Sequence, residues 1–255
     1  MKALVRRPGP RLTEGIVTHV DRVRIDHTKA LLQWSGYVAA LETAGWEIIE
    51  VPPAHDCPDA VFIEDTMVVY RNVAVIARPG ADTRKPETIG AEKIVESLGY
   101  SINRVRSPGT LDGGDVLKVG DTIYVARGGR TNAEGIRQLR AILEPVGAAI
   151  VVVPLTKVLH LKSAVTALPD GTIVGWEPAV DDPTIFAHFL AVPEASGAHV
   201  VLLGDHKLLM STDCPQSAAL FAALGYEPVL VDIGEFIKLE GCVTCLSVRL
   251  RGLYA

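Results

Sequence analysis

The sequence predicts one α/β domain, built from repeated strand–strand–helix–strand units that close into a ring of small sheets. Three observations predict this fold: tight-turn signals between short apolar runs, segments with helical apolar spacing, and a glycine just after most of those segments. An ordinary open α/β sheet contains the same elements, and periodicity alone does not distinguish the two.

The predicted turns lie between short apolar or alternating runs, as in β-hairpins. They are Tyr70-Arg71-Asn72-Val73, Val119-Gly120-Asp121-Thr122, Pro169-Asp170-Gly171-Thr172 and Leu203-Gly204-Asp205-His206. Apolar residues that recur with helical spacing predict helices over 26–44, 87–98, 132–144, 183–191 and 215–223.

A glycine and then an apolar strand follow most of the predicted helices. These glycines are Gly45, Gly99, Gly147 and Gly225, and each suits the left-handed cap that ends a helix. The unit recurs at intervals of roughly fifty residues. We expect the last strands, around 243–254, to pair with Lys2 to Arg6 and close the ring.

The composition indicates a folded protein that does not act on nucleic acid. Of 255 residues, 48% are apolar, the formal charge is −5, and no run of Lys and Arg offers a nucleic-acid surface. No apolar stretch approaches the ~20 residues of a membrane span. Arg6, Arg7 and Pro8 stand where a signal peptide needs an apolar core. We expect a single catalytic domain over 1–255, soluble and cytoplasmic, with no membrane partner; a homodimer is one possible assembly.

The cysteines are few, which suits a reducing compartment, and Cys242 and Cys245 form a C-x-x-C pair. A redox pair would open a helix, whereas 243–249 resembles a strand, and a zinc site needs a second Cys or His pair. In a strand, residues three apart face opposite sides, so only one thiol can point into a site. A cysteine in an apolar strand is more often a buried small hydrophobe than a nucleophile.

His160 lies between Leu159 and Leu161, with Ser163 close behind. Taken alone, it fits a core histidine. As a catalytic group it would protonate a leaving amine and then activate water, which suits an imidazole that titrates near neutrality.

Acidic residues flank a predicted strand in Asp59-Ala60-Val61-Phe62-Ile63-Glu64-Asp65. Strand alternation puts Asp59 and Asp65 on one face. Two converging carboxylates repel unless a cation lies between them, and a guanidinium offers five planar donors for such a pair. A solvated surface hairpin is the ordinary alternative.

A second acidic segment, Leu111-Asp112-Gly113-Gly114-Asp115-Val116-Leu117, has a double glycine that permits close backbone approach. A calcium loop would need further spaced acidic residues, whereas Asp112 could fix the tautomer of a histidine. Arg84 and Arg130 lie in polar segments and are ordinarily surface residues. At the rim of a cleft, two arginines would bind a substrate carboxylate. A small molecule with a guanidinium at one end and a carboxylate at the other is arginine-like.

Six segments together resemble the dimethylarginine dimethylaminohydrolases of the guanidine-modifying superfamily, in the same order and at similar separations from about residue 5 to 249. They are Pro58 to Asp65, Ala77-Arg78-Pro79-Gly80-Ala81, Leu111 to Leu117, Arg130-Thr131-Asn132, Leu159 to Ser163 and Gly241-Cys242-Val243-Thr244-Cys245. The resemblance implies a five-bladed β/α propeller of ββαβ units, known as the pentein fold.

It also implies the roles of individual residues. Cys245 would be the nucleophile, His160 the general acid and base, and Asp112 the group that holds His160. The remaining roles concern the substrate. Asp59 and Asp65 would bind its guanidinium with Glu64 nearby, Arg84 and Arg130 its α-carboxylate, and backbone carbonyls near Leu239 and Val17 its α-amino group.

The implied reaction is hydrolysis of Nω,Nω-dimethyl-L-arginine and Nω-monomethyl-L-arginine to L-citrulline and the methylated amine, with no metal and no cofactor. An arginine deiminase-like hydrolase is one alternative, although that relative usually carries an extra helical domain. A non-catalytic propeller that binds a partner is another. Agmatine is a third substrate class, and Arg84 and Arg130 argue against it because agmatine has no carboxylate.

Overall fold

The computed structural model describes residues 1–204 and 206–252, and its strands form five three-stranded sheets. In each sheet the first strand runs antiparallel to the middle strand, and the third strand runs parallel to it. A parallel third strand requires a crossover, so each sheet is a ββαβ unit or a variant of it. The five-bladed β/α propeller is confirmed.

The strands follow each other blade by blade. They are β1 Lys2–Val5, β2 Glu47–Glu50, β3 Met67–Tyr70, β4 Val73–Ile76, β5 Ser101–Arg104, β6 Val116–Val119, β7 Thr122–Arg127, β8 Ala149–Pro154, β9 Val165–Ala167, β10 Ile173–Gly175, β11 Phe189–Ala191, β12 Val201–Gly204, β13 Lys207–Ser211, β14 Glu227–Val231 and β15 Val248–Leu250.

The α-helices of the described residues are α1 His27–Thr43, α2 Thr88–Ser97, α3 Ala133–Leu143, α4 Leu161–Ala164, α5 Pro215–Ala223 and α6 Gly234–Ile237. Short 3₁₀ turns cover Leu12–Glu14, Ile63–Thr66, Asp82–Glu87, Gly113–Asp115, Glu144–Val146, Glu177–Ala179, Pro183–Ile185 and Ala195–Ala198. None of the helices in this part of the chain is both long enough and apolar enough to cross a bilayer.

The ring closes where the end of the described chain meets its beginning. β15 pairs antiparallel with β1, with Leu4 opposite Val248, and β2 pairs with the other edge of β1. The predicted closure is therefore confirmed, although the closing strand is only Val248–Leu250. The predicted strand end at 253–254 and Asp205 of the fourth predicted turn lie outside the described residues.

Local sequence signals explain most helix boundaries. Asp26 accepts a hydrogen bond from the Lys29 amide at the start of α1, and Asn132 does the same for the Gly135 amide in α3. The four predicted cap glycines all have positive φ. Helices were correctly predicted near 26–44, 87–98, 132–144 and 215–223.

The helix predicted over 183–191 is wrong. Pro183–Ile185 forms a single 3₁₀ turn, and Phe189–Ala191 is a strand that pairs parallel with β10. Proline and Asp182 start a turn here, and the edge of β10 supplies backbone partners that a helix would leave unused. Tertiary pairing decides this segment.

The first strands of the blades, β3, β6, β9, β12 and β15, line a central channel of about 780 Å³. These strands share one direction along the channel, so the residues just before them gather at one end. The turns after them gather at the other end. A separate apolar cluster fills each junction between neighbouring blades.

Leu4 tests the closure of the ring because it is fully buried between the β15–β1–β2 blade and its neighbour. We expect Leu4→Ala to lower the free energy of unfolding by about 2–5 kcal/mol, measured by urea denaturation. Leu32→Ala is the control, because Leu32 is 70% exposed on α1; its effect should stay within about 0.5 kcal/mol. Equal effects of the two substitutions would contradict a tightly packed closure.

Candidate active site

Four polar residues precede first strands and meet at one end of the channel. Asp65 precedes β3, Asp112 precedes β6, His160 precedes β9 and Cys245 precedes β15. All four are buried. Beside them is a small cavity lined by Ile16, Asp59, Phe62, Asp65, Arg84, Arg130, Leu159, His160, Leu239, Glu240, Gly241 and Cys245. The structure thus brings a thiol, an imidazole and carboxylates together from distant parts of the chain.

His160 lies between two carboxylates. Its Nε2 is 3.0 Å from Asp112 Oδ2, and its Nδ1 is 3.7 Å from Asp65 Oδ1. Asp112 is itself held by the amide of Gly80, which donates to Oδ1 at 2.9 Å. Asp115 accepts from the Leu161 amide and from Thr131 Oγ1, and so fixes the backbone next to His160. The imidazole is therefore fixed in position and orientation.

The same carboxylates determine the charge of His160. Burial opposes ionisation of the ring, but Asp65, Asp112 and Asp115 outweigh it and raise the pKa of His160 to about 9. The expected titration near neutrality is therefore wrong, and the ring is an imidazolium at neutral pH. Burial raises the pKa of Asp115 to about 6, although His160 opposes that shift.

Gly114 shows why the acidic segment contains a double glycine. A Cβ at this position would lie 2.6 Å from Asp65 Oδ1 and 2.7 Å from His160 Nδ1. Its amide donates to Asp65 Oδ1 at 2.8 Å, which requires this close approach.

Cys242 and Cys245 do not lie in a strand, which corrects the prediction for 243–249. They bracket a tight turn, in which the Cys245 amide donates to the Cys242 carbonyl, and β15 begins only at Val248. Their sulfur atoms are 3.3 Å apart rather than on opposite faces. Cys245 lines the cavity and Cys242 does not, so the choice of Cys245 as the thiol facing the site agrees with the geometry.

The two thiols titrate as a pair. The hydrogen bond from Cys245 lowers the pKa of Cys242, and that same bond together with burial raises the pKa of Cys245. The first proton of the pair therefore leaves easily and the second is held strongly. Without a further positive charge in the cavity, Cys245 remains a thiol.

Asp59 and Asp65 both face the cavity, but not from one strand. The segment between them is a turn that leads into the 3₁₀ turn Ile63–Thr66, so the predicted strand is wrong. Asp59 Oδ1 accepts from the Ile16 amide, while its buried Oδ2 has no hydrogen-bond partner. Burial raises the pKa of Asp59.

Arg84 lies in the cavity wall with its donors occupied. It binds Glu87 through Nε and Nη2, Asp65 through Nη1 at 2.5 Å, and two backbone carbonyls through Nη2. Arg130 differs, because its Nη1 is buried and unbonded, 3.7 Å from Asp112 Oδ2. Arg130 therefore has a donor free to bind a carboxylate, whereas Arg84 would first have to give up a hydrogen bond to Glu87 or Asp65. The role of each arginine as a ligand of the substrate carboxylate stays a prediction.

Glu64 is not part of this cavity, which corrects its predicted place near the substrate. Although its neighbour Asp65 faces the cavity, the Glu64 carboxylate faces the channel and binds Lys162 and Arg249. Leu239 lines the cavity as predicted. From the N-terminal segment it is Ile16 that lines the cavity, not Val17, so the role of Val17 also stays a prediction.

Glu240 was not predicted from the sequence. Its carboxylate accepts from the amides of Thr18 and His19, which ties the exposed segment 18–24 to the chain just before Cys245. Its φ is +60°, an uncommon conformation for a residue with a side chain. A single polar residue after Leu239 carries no local signal for such a contact.

The cavity is small in this structure. Its volume of about 20 Å³ holds little more than one water molecule. A ligand the size of an amino acid therefore enters only when part of the wall moves. The exposed segment 18–24 is tied to one wall residue, Glu240, by the amides of Thr18 and His19.

Asp65, Asp112 and His160 place three donor atoms within 4.8 Å of one another, close enough to hold a metal ion. A cation there would have to displace the proton of His160 and compete with the ion pair between Arg84 and Asp65. The charges of the site fit a proton better than a metal.

Comparison with known proteins places this geometry in a family. The chain is 67% identical over 253 residues to an N(G),N(G)-dimethylarginine dimethylaminohydrolase of Streptomyces coelicolor, covering 99% of this chain and 98% of that protein. A crystal structure of a dimethylarginine dimethylaminohydrolase adduct with S-methyl-L-thiocitrulline superposes with a TM-score of 0.91 at 34% identity, over 98% of this chain and 99% of the other. The Pseudomonas aeruginosa enzyme in complex with citrulline gives 0.91 and 34% over 98% of both chains. No family model matches the sequence.

A five-bladed propeller with a cysteine, a histidine and carboxylates at one end defines the class of guanidine-modifying enzymes, as the resemblance implied. Within it, the chain belongs to the dimethylarginine dimethylaminohydrolase family.

The raised pKa of His160 predicts a change of stability with pH. Because the folded pKa of about 9 exceeds the ordinary histidine value of 6.5, the stability from His160 is fully present below about pH 6.5 and is lost as pH rises through 9. We expect the difference in free energy of unfolding between the wild type and His160→Gln to shrink over this window, by at most roughly 3 kcal/mol. Urea denaturation at several pH values measures it. A difference that does not vary with pH would contradict the charged state of His160.

Proposed function

We propose that the chain hydrolyses Nω,Nω-dimethyl-L-arginine and Nω-monomethyl-L-arginine to L-citrulline, releasing dimethylamine or methylamine. Membership of the family supports this reaction, as do the names of its relatives. The observation that carries it is a pair of buried atoms in the cavity wall without a hydrogen-bond partner, Asp59 Oδ2 and Arg130 Nη1.

The charge and hydrogen-bonding capacity of these two atoms indicate what kind of ligand fits the cavity. A buried acceptor that carries negative charge calls for a cationic donor, and a buried guanidinium N–H calls for an anion. A zwitterion with a guanidinium and a carboxylate satisfies both. Asp59 and Asp65 would bind the guanidinium end near Cys245, and Arg130 would bind the α-carboxylate. The Leu239 carbonyl would accept from the α-amino group.

Cys245 is the proposed nucleophile. The substrate cation supplies the positive charge that the thiol pair lacks, so binding favours the Cys245 thiolate. The sulfur attacks the guanidinium carbon and forms a C–S bond. His160 donates its proton to the methylated nitrogen, the C–N bond breaks, and the amine leaves a cationic S-alkylthiouronium on Cys245.

His160 then works in the opposite direction. The neutral ring takes a proton from water, and the resulting hydroxide adds to the thiouronium carbon. The C–S bond breaks, the hydroxyl proton passes to the departing sulfur, and the carbon becomes the carbonyl carbon of citrulline, so that Cys245 is again a thiol and His160 again an imidazolium. A pKa of about 9 makes His160 a strong acceptor in this second step. Asp112 acts through His160 by fixing its ring.

Entry of the substrate requires the segment at 18–24 to open. Its amide contacts with Glu240 hold it closed, and the closed cavity excludes water once the substrate is in place. Val17, next to this segment, is the proposed second carbonyl for the α-amino group, and Arg84 is the proposed second carboxylate ligand.

The alternatives differ in substrate. An arginine deiminase-like reaction uses the same catalytic groups on unmethylated arginine, and agmatine would leave Arg130 without an anion. A binding module has no chemical reason to assemble the thiol, the imidazole and the acid.

All four cysteines are free, which favours a reducing compartment such as the cytoplasm. Assembly into a homodimer stays a prediction.

The test is hydrolysis of four compounds: monomethylarginine, dimethylarginine, arginine and agmatine. Citrulline is measured for the first three, and ammonia release is measured for agmatine, because its ureido product has no carboxylate and is not citrulline. We expect citrulline and a methylated amine from the first two, with higher kcat/KM than for arginine, and no turnover of agmatine. Cys245→Ser is the inactive control. Faster turnover of arginine would replace this proposal by a deiminase, and no turnover of any compound would refute it.

The two cysteines should differ sharply in their effects. Cys245→Ser should abolish turnover, because a serine hydroxyl is not ionised by the same surroundings, while substrate binding survives through Asp59 and Arg130. Cys242→Ser should keep most activity, since Cys242 lies outside the cavity. A haloamidine-type reagent should add mass to Cys245 alone, and excess methylarginine should protect it. Labelling at Cys242, or activity in Cys245→Ser, would overturn the assignment.

A further inference from the structure

The central channel holds an unusual group of charges. Lys118, Lys162, Arg249 and Arg251 line it, and Glu64 is the carboxylate among them. Arg71 and Asp121 also line the channel, but they pair with each other and cancel. Four positive charges therefore face one negative charge.

Hydrogen bonding shows which of these cations are compensated. Glu64 Oε1 lies 2.6 Å from Lys162 Nζ and 2.5 Å from Arg249 Nη2. The other terminal nitrogen of the guanidinium group, Arg249 Nη1, donates to Thr244 O and to the carbonyl and hydroxyl oxygens of Ser247. These two cations thus share one carboxylate and are fixed in the channel wall.

Lys118 and Arg251 have no such partner. Lys118 Nζ donates to the Val69 carbonyl, and Arg251 Nη2 donates to the Leu202 carbonyl. Among the described residues, neither lies within ion-pair distance of a carboxylate. Both residues are exposed and both line the channel, so an entering ion can reach them; the Arg251 guanidinium also lies over the ring of Trp46, 5.4 Å from its centroid.

The cations weaken each other's charge. Desolvation in the channel, followed by the positive charges of Lys162, Arg249 and Arg251, lowers the pKa of Lys118 to about 7. Its exposure to the channel space lets water reduce this shift. Desolvation and the charge of Arg249 also lower the pKa of Arg251, to about 10. Like charges held this close favour an anion between them.

We propose that the channel is a binding site for a small multivalent oxyanion of the phosphate class, held by Lys118 and Arg251. The volume of about 780 Å³ accommodates an ion of this size with its water. Lys118 lies within β6 and Arg251 follows β15, whereas Cys245 and His160 precede their first strands, and neither Lys118 nor Arg251 lines the catalytic cavity. The site is thus distinct from the catalytic cavity and does not depend on the proposed reaction.

The experiment measures binding of pyrophosphate to the whole chain by equilibrium dialysis, with ionic strength held constant by sodium chloride. We expect one saturable site per chain. Lys118→Gln and Arg251→Gln should each weaken binding about tenfold, the effect of losing one charge-assisted contact. Lys93→Gln removes the same charge from the exposed surface of α2 and should leave binding unchanged. Arg130→Gln should also leave it unchanged, because Arg130 belongs to the catalytic cavity.

Thermal unfolding keeps the proposal falsifiable if a variant is less stable. Pyrophosphate should raise the Tm of the wild type and of Lys93→Gln, but not that of the Lys118→Gln/Arg251→Gln double variant. Without the anion, the double variant should melt no lower than the wild type, because it removes repulsion. Absence of saturable binding, an equal loss in Lys93→Gln, or loss of binding in Arg130→Gln would each overturn the proposal. None of these measurements uses catalysis, so failure here leaves the methylarginine assay as a separate result.

Discussion

The pairing of β15 with β1 is the constraint on which the rest of the structure depends. It supplies the blade at the N-terminus with its first strand, and it closes the ring so that every first strand borders the same channel. Residues before those strands then converge, whatever their distance in sequence. The Glu64 amide donates to the Cys245 carbonyl at 3.1 Å, a contact that joins the second blade to the end of the chain. The nucleophile is therefore placed by ring closure rather than by its own turn.

Charge balance around His160 joins stability to chemistry. Asp65, Asp112 and Asp115 are buried, and a buried carboxylate needs a compensating partner. The proton on His160 supplies much of this compensation, so the group that would protonate the amine also neutralises the folded site. When that proton leaves with the amine, the cationic thiouronium remains beside the carboxylates. The positive charge of the intermediate thus replaces the positive charge that the imidazole has given up.

Local signals predicted what local chemistry determines. The glycines after α1 and α2 and the hairpin turns were readable because each is satisfied within a few residues. The strands predicted at 59–65 and 243–249 were wrong because both segments bend to bring side chains to the ring axis. The pKa of His160 was also out of reach, since its carboxylates come from two other blades. Resemblance to a family supplied the site residues that spacing alone left open.

Adjacent residues can serve opposite ends of the channel, and this explains why Glu64 was misplaced. In the 3₁₀ turn Ile63–Thr66 successive side chains diverge, so Asp65 points to His160 while Glu64 points to Lys162 and Arg249. Asp65 belongs to the catalytic cavity, whereas Glu64 belongs to the channel, where the cations that line it outnumber its single charge. Lys162, close behind His160 in α4, repeats the division from the other side. Asp65 and His160 thus line the catalytic cavity, while Glu64 and Lys162, which are close to them in sequence, line the channel. These two pairs separate the charges of the cavity from those of the channel.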